Sequence, residues 1–116
     1  MAHITIYQKP TCTTCRQVVK LVESSKHPFT AINYYEKPFT KSQLKMLLKK
    51  ARLTATAILR TKEEAYKKLN LAKNPLSEDE LIDRMIHQPD LIQRPLVEKG
   101  ETVILARPPE TIKKLL

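Results

Sequence analysis

The sequence predicts an α/β domain with a mixed four-stranded sheet, flanking helices and a helical insertion. Three observations carry this. The chain opens with a strand-like run, an amphipathic helical run and a second strand-like run. Its middle then turns wholly helical, and a hairpin built around the single glycine follows. With 116 residues, 41% of them hydrophobic, the chain suits one domain over residues 1–116, with the insertion at about 38–90.

His3, Ile4, Thr5, Ile6 and Tyr7 alternate and are rich in β-branched side chains, as a half-buried strand requires. From Cys12 onward the apolar positions Cys15, Val18, Val19 and Val22 recur at helical spacing. Lys26, His27 and Pro28 break the pattern, and residues 29–34 supply the second strand. A strand–helix–strand connection of this kind makes the two strands parallel. From Thr40 the chain is helical, announced three times by Ser or Thr with Gln or Glu three residues on: Thr40 with Gln43, Thr61 with Glu64, and Ser77 with Glu80. Each has the form of a capping box. Leu44, Leu47, Leu48 and Ala51 mark the buried stripe of the first of these helices. Leu81, Ile82, Met85 and Ile86 mark that of the last, which Pro89 stops. Residues 95–98 and 102–106 read as a hairpin turning at Gly100, and residues 110–116 close the chain as a short helix. The order βαβ, helices, ββα is that of a thioredoxin-like sheet with a helical insertion between its halves.

The formal charge is +9, from 15 Lys and 6 Arg against 12 acidic residues, which favours anionic partners. A lone glycine excludes the Gly-rich phosphate loops of nucleotide-binding folds. Two cysteines three residues apart cannot staple distant parts of the chain, so the fold is expected to rest on packing in a reducing compartment. The opening residues lack the apolar run of a signal peptide and no window is long enough to span a bilayer, so a soluble, cytoplasmic monomer is expected.

The chemistry concentrates at Cys12. At the first turn of a helix, unpaired backbone N–H groups and the positive end of the helix dipole favour a thiolate. Arg16, one turn on, and Lys9 add to that field. Cys15 falls on the apolar stripe and is expected to be the less exposed thiol. Attack is thus assigned to Cys12, with Cys15 either resolving whatever Cys12 has bound or simply filling the core. A zinc site needs two further ligands, and His3, His27 and His87 form no Cys/His spacing pattern, so no metal is expected.

Several motifs together resemble the glutaredoxin-coupled arsenate reductase family and its Spx-type relatives. They are residues 4–7 with Cys12 and Arg16, Ala57-Ile-Leu-Arg60, Tyr66-Lys-Lys-Leu-Asn-Leu71, Leu81-Ile-Asp83, Leu91-Ile-Gln-Arg94-Pro95 and Ala106-Arg107-Pro108, spanning essentially the whole chain. The resemblance implies a thioredoxin-like fold in which Cys12 attacks arsenate while Arg60, Arg94 and Arg107 surround the oxyanion. It also implies a cis Arg94–Pro95 bond, no bound cofactor, and glutathione with glutaredoxin as the external reductant. Guanidinium forks match a tetrahedral oxyanion better than ammonium groups do. The chain departs from the family twice. Gln8 stands where a histidine four residues before the cysteine is usual, and Cys15 adds a second thiol that the enzymes commonly lack. Cys15 opens a second route, in which it resolves the adduct internally and thioredoxin or glutaredoxin reduces the disulfide. The chain also ends soon after Arg107, before the extension many relatives carry.

Two other readings compete. In an Spx-type regulator the Cys12–Cys15 pair would be a redox switch and RNA polymerase the partner, with Lys41, Lys45, Lys49 and Arg52 as a basic stripe to meet it. A general disulfide oxidoreductase would use the cysteines but leave the arginines unexplained. The third arginine, Arg107, favours the reductase over both.

Overall fold

The computed structural model describes residues 2–116; Met1, at the start of the expected domain, lies outside them. The chain divides into two compact units, one running to Lys37 and resuming over Arg94–Leu116, the other Pro38–Gln93.

The first unit holds β1 (Ile4–Gln8), α1 (Thr13–Ser24), β2 (Phe29–Asn33), β3 (Leu96–Lys99), β4 (Thr102–Leu105) and a terminal 3-10 helix (Pro109–Leu115). The sheet order is β2-β1-β3-β4. β1 runs parallel to β2, with Gln8 opposite Asn33, and antiparallel to β3, with Tyr7 opposite Leu96. The period-2 alternation of β1 sends Ile4 and Ile6 to one face, where they meet Val97, Val18 and Val22 of α1, and Ile112 and Leu115. A two-residue loop joins β3 to β4, since Lys99 pairs with Thr102. Gly100 takes φ +60° there, a conformation that costs a side-chain-bearing residue free energy. The short closing helix is of the tighter 3-10 form, with Pro109 in its first turn. Arg94–Pro95 is cis, as the resemblance implied, and Arg107–Pro108 is cis as well.

The second unit carries α2 (Lys41–Ala51), α3 (Glu64–Lys68) and α4 (Glu78–His87), with 3-10 turns at Thr56–Ile58 and Pro89–Leu91. α2 buries Leu44, Leu47 and Leu48 and packs against α4, which buries Leu81, Ile82 and Met85. The Ala55 N–H donates to the Glu78 carboxylate at 2.9 Å. One antiparallel bridge, Leu59 with Ile92, joins the segment before α3 to the segment after α4. It is flanked by Arg60 N–H to Leu91 C=O and Gln93 N–H to Ile58 C=O, both 2.8 Å. No helix of the described residues is long and apolar enough to cross a membrane.

Two of the three expected caps form. Thr40 Oγ1 accepts from Gln43 N–H, and Ser77 with Glu80 makes the full reciprocal box. The third does not: α3 starts at Glu64, the N-cap position falls to Glu63, and no side chain caps it. Thr61 instead lies in a turn that the Glu63 N–H closes on the Arg60 carbonyl at 3.4 Å. The basic stripe on α2 stays partly exposed and is engaged in part by α4, its partner in the packed helix pair. Lys41 meets Asp79 at 2.6 Å and Asp83 at 3.1 Å, and Lys45 meets Asp79 at 2.6 Å, so α4 supplies counter-charges for two of its four cations.

Ser77→Ala is expected to cost about 1 kcal/mol in urea denaturation, as loss of an N-cap side chain does. Thr61→Ala is expected to stay within about 0.5 kcal/mol of the parent, the range of surface changes away from caps.

Candidate active site

β1 ends at Gln8, and the chain turns through Lys9, Pro10 and Thr11 into α1. The Cys12 N–H closes this turn on the Lys9 carbonyl at 2.9 Å, and the Cys12 carbonyl accepts the first helical bond, from the Arg16 N–H, at 3.0 Å. Cys12 is therefore the N-cap residue, with extended backbone, one position ahead of the first turn. Its sulfur occupies the place usually taken by a Ser, Thr or Asp oxygen, accepting the Cys15 N–H at 3.3 Å. A thiolate there satisfies an orphan helix donor and meets the positive end of the dipole. Cys12 is half-buried and Cys15 is fully buried, and both are free thiols.

The two sulfurs are electrostatically opposed. Partial burial pushes the Cys12 thiol upward, but hydrogen bonds from the side chain and backbone of Cys15 and the charge of Arg94 outweigh this and hold it down at about 7. Burial, followed by the bond to Cys12, pushes Cys15 up to about 12. Near neutral pH Cys12 is thus the thiol that ionises, while Cys15 keeps its proton as the donor.

Two of the predicted arginines converge on that sulfur. Arg107 Nη1 lies 4.0 Å from Cys12 Sγ and donates to the Arg94 carbonyl at 2.9 Å. Arg94 is the sole buried charged residue among the described residues, 6% exposed, and its Nη1 donates to Tyr35 Oη at 3.4 Å. Its Nε is buried with no hydrogen-bond partner among the described residues. A buried donor left in that state is costly and marks a place where an acceptor oxygen is wanted. Arg16 is exposed and its guanidinium donates to Thr13 Oγ1 at 3.5 Å. Arg60 belongs to the other unit. There Nε and Nη2 engage Glu63 Oε1 at 3.0 and 2.9 Å, and Nη1 donates to Gln93 Oε1 at 3.2 Å.

Tyr35 escaped the sequence reading. Besides accepting from Arg94, it lies under the Lys9 ammonium, which is 4.8 Å from its ring centroid, and packs against the Tyr34 ring in a tilted pair, centroids 5.2 Å apart. The usable signal was position. Two tyrosines follow β2, whose parallel register with β1 brings its C-terminal end beside the Cys12 turn, and ligands bind at such strand ends.

A family model described as the ArsC family matches residues 7–115. The chain belongs to the ArsC family. An arsenate reductase of Escherichia coli (strain K12) is 36% identical over all 116 residues, which cover 82% of that protein. One from Yersinia enterocolitica is 37% identical with the same coverage. The solved structure of an arsenate reductase from Vibrio cholerae superposes with a TM-score of 0.92 at 34% identity, covering 99% of this chain and 98% of that one. The thioredoxin-like sheet, the cysteine at the head of α1 and the two arginines preceding cis prolines are thus set in an ArsC frame along the whole chain.

The Cys12 thiolate is expected to alkylate with iodoacetamide at a rate that is half-maximal near pH 7, slow below it where the sulfur is protonated, and level above it. In Arg94→Met the midpoint is expected to rise toward the ordinary thiol range.

Proposed function

We propose that this chain reduces arsenate to arsenite with its own two thiols. The observation that carries the reading is the half-buried Cys12 sulfur at a helix N-terminus, with Arg107 4.0 Å away and beside it a buried Arg94 whose Nε–H lacks an acceptor. Arsenate carries about as much charge as phosphate, roughly −1.5 to −2 near neutral pH, and presents several acceptor oxygens. Arg94 and Arg107 are matched to that charge, and Arg60 is the third guanidinium on this reading.

The Cys12 thiolate attacks arsenic, an arsenic–sulfur bond forms, and one arsenate oxygen leaves as water once protonated. The guanidinium donors stabilise the charge that builds on the remaining oxygens. Cys15 then attacks the Cys12 sulfur and gives its proton to an arsenic-bound oxygen. The sulfur–sulfur bond forms as the arsenic–sulfur bond breaks, and its electron pair stays on arsenic, which leaves as As(III). Two thiols have lost two electrons, and an external dithiol of the thioredoxin or glutaredoxin type restores them. Cys15 suits the second attack because it sits one turn from Cys12 and hydrogen-bonds to it. Capping Cys12 removes the negative charge that helps keep Cys15 protonated. The family resemblance along the chain favours a second reading of this half-reaction alone, in which glutathione supplies the second thiol and glutaredoxin closes the cycle. Either route needs reduced thiols, as in a cytoplasm.

Arsenite production coupled to NADPH oxidation is the test, with thioredoxin plus its reductase in one arm and glutathione plus glutaredoxin in the other. Cys12→Ser is expected to abolish turnover in both. Arg107→Ala is expected to lose about 100-fold, the scale of one oxyanion donor. Cys15→Ser is expected to lose the thioredoxin arm; full activity with glutathione would instead favour the second reading. Absence of arsenite in every arm would overturn arsenate reduction itself.

A further inference from the structure

Arg60 is held by two side chains of its own unit, Glu63 at Nε and Nη2 and Gln93 at Nη1. We propose that Glu63 and Gln93 are positioning residues that fix the Arg60 guanidinium before the oxyanion arrives, presenting it as a preset fork. This rests on the reading of Arg60 as an oxyanion-binding residue.

The clamp is built from the backbone upward. The Leu59–Ile92 bridge and its two 2.8 Å flanking bonds bring Ile58–Arg60 alongside Leu91–Gln93. Ile58, Leu91 and Ile92 are fully buried, so this short ladder is anchored in the second unit's interior. Arg60 and Gln93 leave it at diagonal positions on either side of the bridged pair, and Gln93 Oε1 accepts from Nη1. The next turn, closed by the Glu63 N–H on the Arg60 carbonyl, returns Glu63 to the Nε edge, where one carboxylate oxygen takes both Nε and Nη2. A guanidinium has five N–H donors, so these three contacts leave two unused, one on Nη1 and one on Nη2. The side chain's rotamer freedom is lost in the free protein and need not be lost on binding.

The choice of Glu63 is informative because it leaves another task undone. As the N-cap residue of α3, its carboxylate has helix N–H donors at hand, yet it makes no cap bond and turns back to Arg60. With the pair 21% and 28% exposed, it is also better shielded than the Lys41 and Lys45 pairs on α2. A carboxylate beside an anion site reduces its net positive charge, so the clamp must act through orientation. Glu63 is then neither a competitor for Arg60 nor an incidental neighbour.

Protection of Cys12 from iodoacetamide by arsenate, titrated without any other thiol, reads oxyanion binding separately from turnover. The rate without arsenate is the internal reference, and thermal melting reports folding. Glu63→Ala is expected to raise the arsenate concentration for half-protection about 10-fold, Glu63→Gln by less because one acceptor oxygen remains, and Arg60→Ala by at least as much as Glu63→Ala. In an Arg60→Ala background, Glu63→Ala is expected to add nothing, since it acts through the missing group. Protection unchanged or strengthened in both Glu63 variants, or an equal loss with and without Arg60, would overturn the clamp. A wild type that arsenate does not protect, or an Arg60→Ala chain protected like the wild type, would instead overturn the underlying reading of Arg60.

Discussion

Much of the inferred chemistry depends on one hydrogen bond, from the Cys15 N–H to the Cys12 sulfur. It makes a cysteine the cap of α1, so the residue that stabilises the helix start is also the one proposed as nucleophile. An ordinary N-cap oxygen would satisfy the helix and do nothing more. Partial burial works against the charge of a sulfur in that place, but the hydrogen bonds from Cys15 and then Arg94 outweigh it and bring its titration to about 7. Cys15 supplies the donor, is buried, and retains its own proton, so the pair is a thiolate and a thiol three residues apart.

The fold gathers the cations around this sulfur from far along the chain. β3 pairs with β1, so Arg94, two residues ahead of β3, falls beside the end of β1 where the Cys12 turn begins. β4 returns antiparallel to β3, and the residue that leaves it after Ala106, Arg107, comes back to the same end. The Arg107 guanidinium bonds the Arg94 carbonyl, tying the two segments together. A sheet of four strands is thus enough to unite residues 12, 94 and 107. Arg60 lies in the helical unit, next to the Leu59–Ile92 bridge, where Glu63 and Gln93 hold its guanidinium.

Much of this was legible in the sequence, and the misses have physical causes. The strands, the parallel β1–β2 pair and the hairpin at Gly100 followed from period-2 patterning and turn chemistry, which are local properties. The same is true of the caps at Thr40 and Ser77. Thr61 with Glu64 had the right letters in the wrong place, because the pattern cannot show that the intervening residues are used in a turn and that Glu63 is engaged by Arg60. The counter-charges of the α2 lysines were not legible because the acidic residues that meet Lys41, Asp79 and Asp83, lie 38 and 42 residues away. Cys12, Arg94 and Arg107 were found through cysteine spacing and family motifs. Tyr35 and Gln93 were missed because an uncharged residue gains its role only from the neighbours that folding gives it.

The most direct measurement of the central claim is a single turnover in the absence of any external thiol. Fully reduced protein, freed of small thiols, is mixed with excess arsenate, and arsenite and remaining free thiols are counted together. If Cys12 captures arsenate and Cys15 completes the two-electron transfer, one arsenite forms per chain and both thiols disappear into a disulfide between residues 12 and 15. No arsenite with both thiols intact would contradict it.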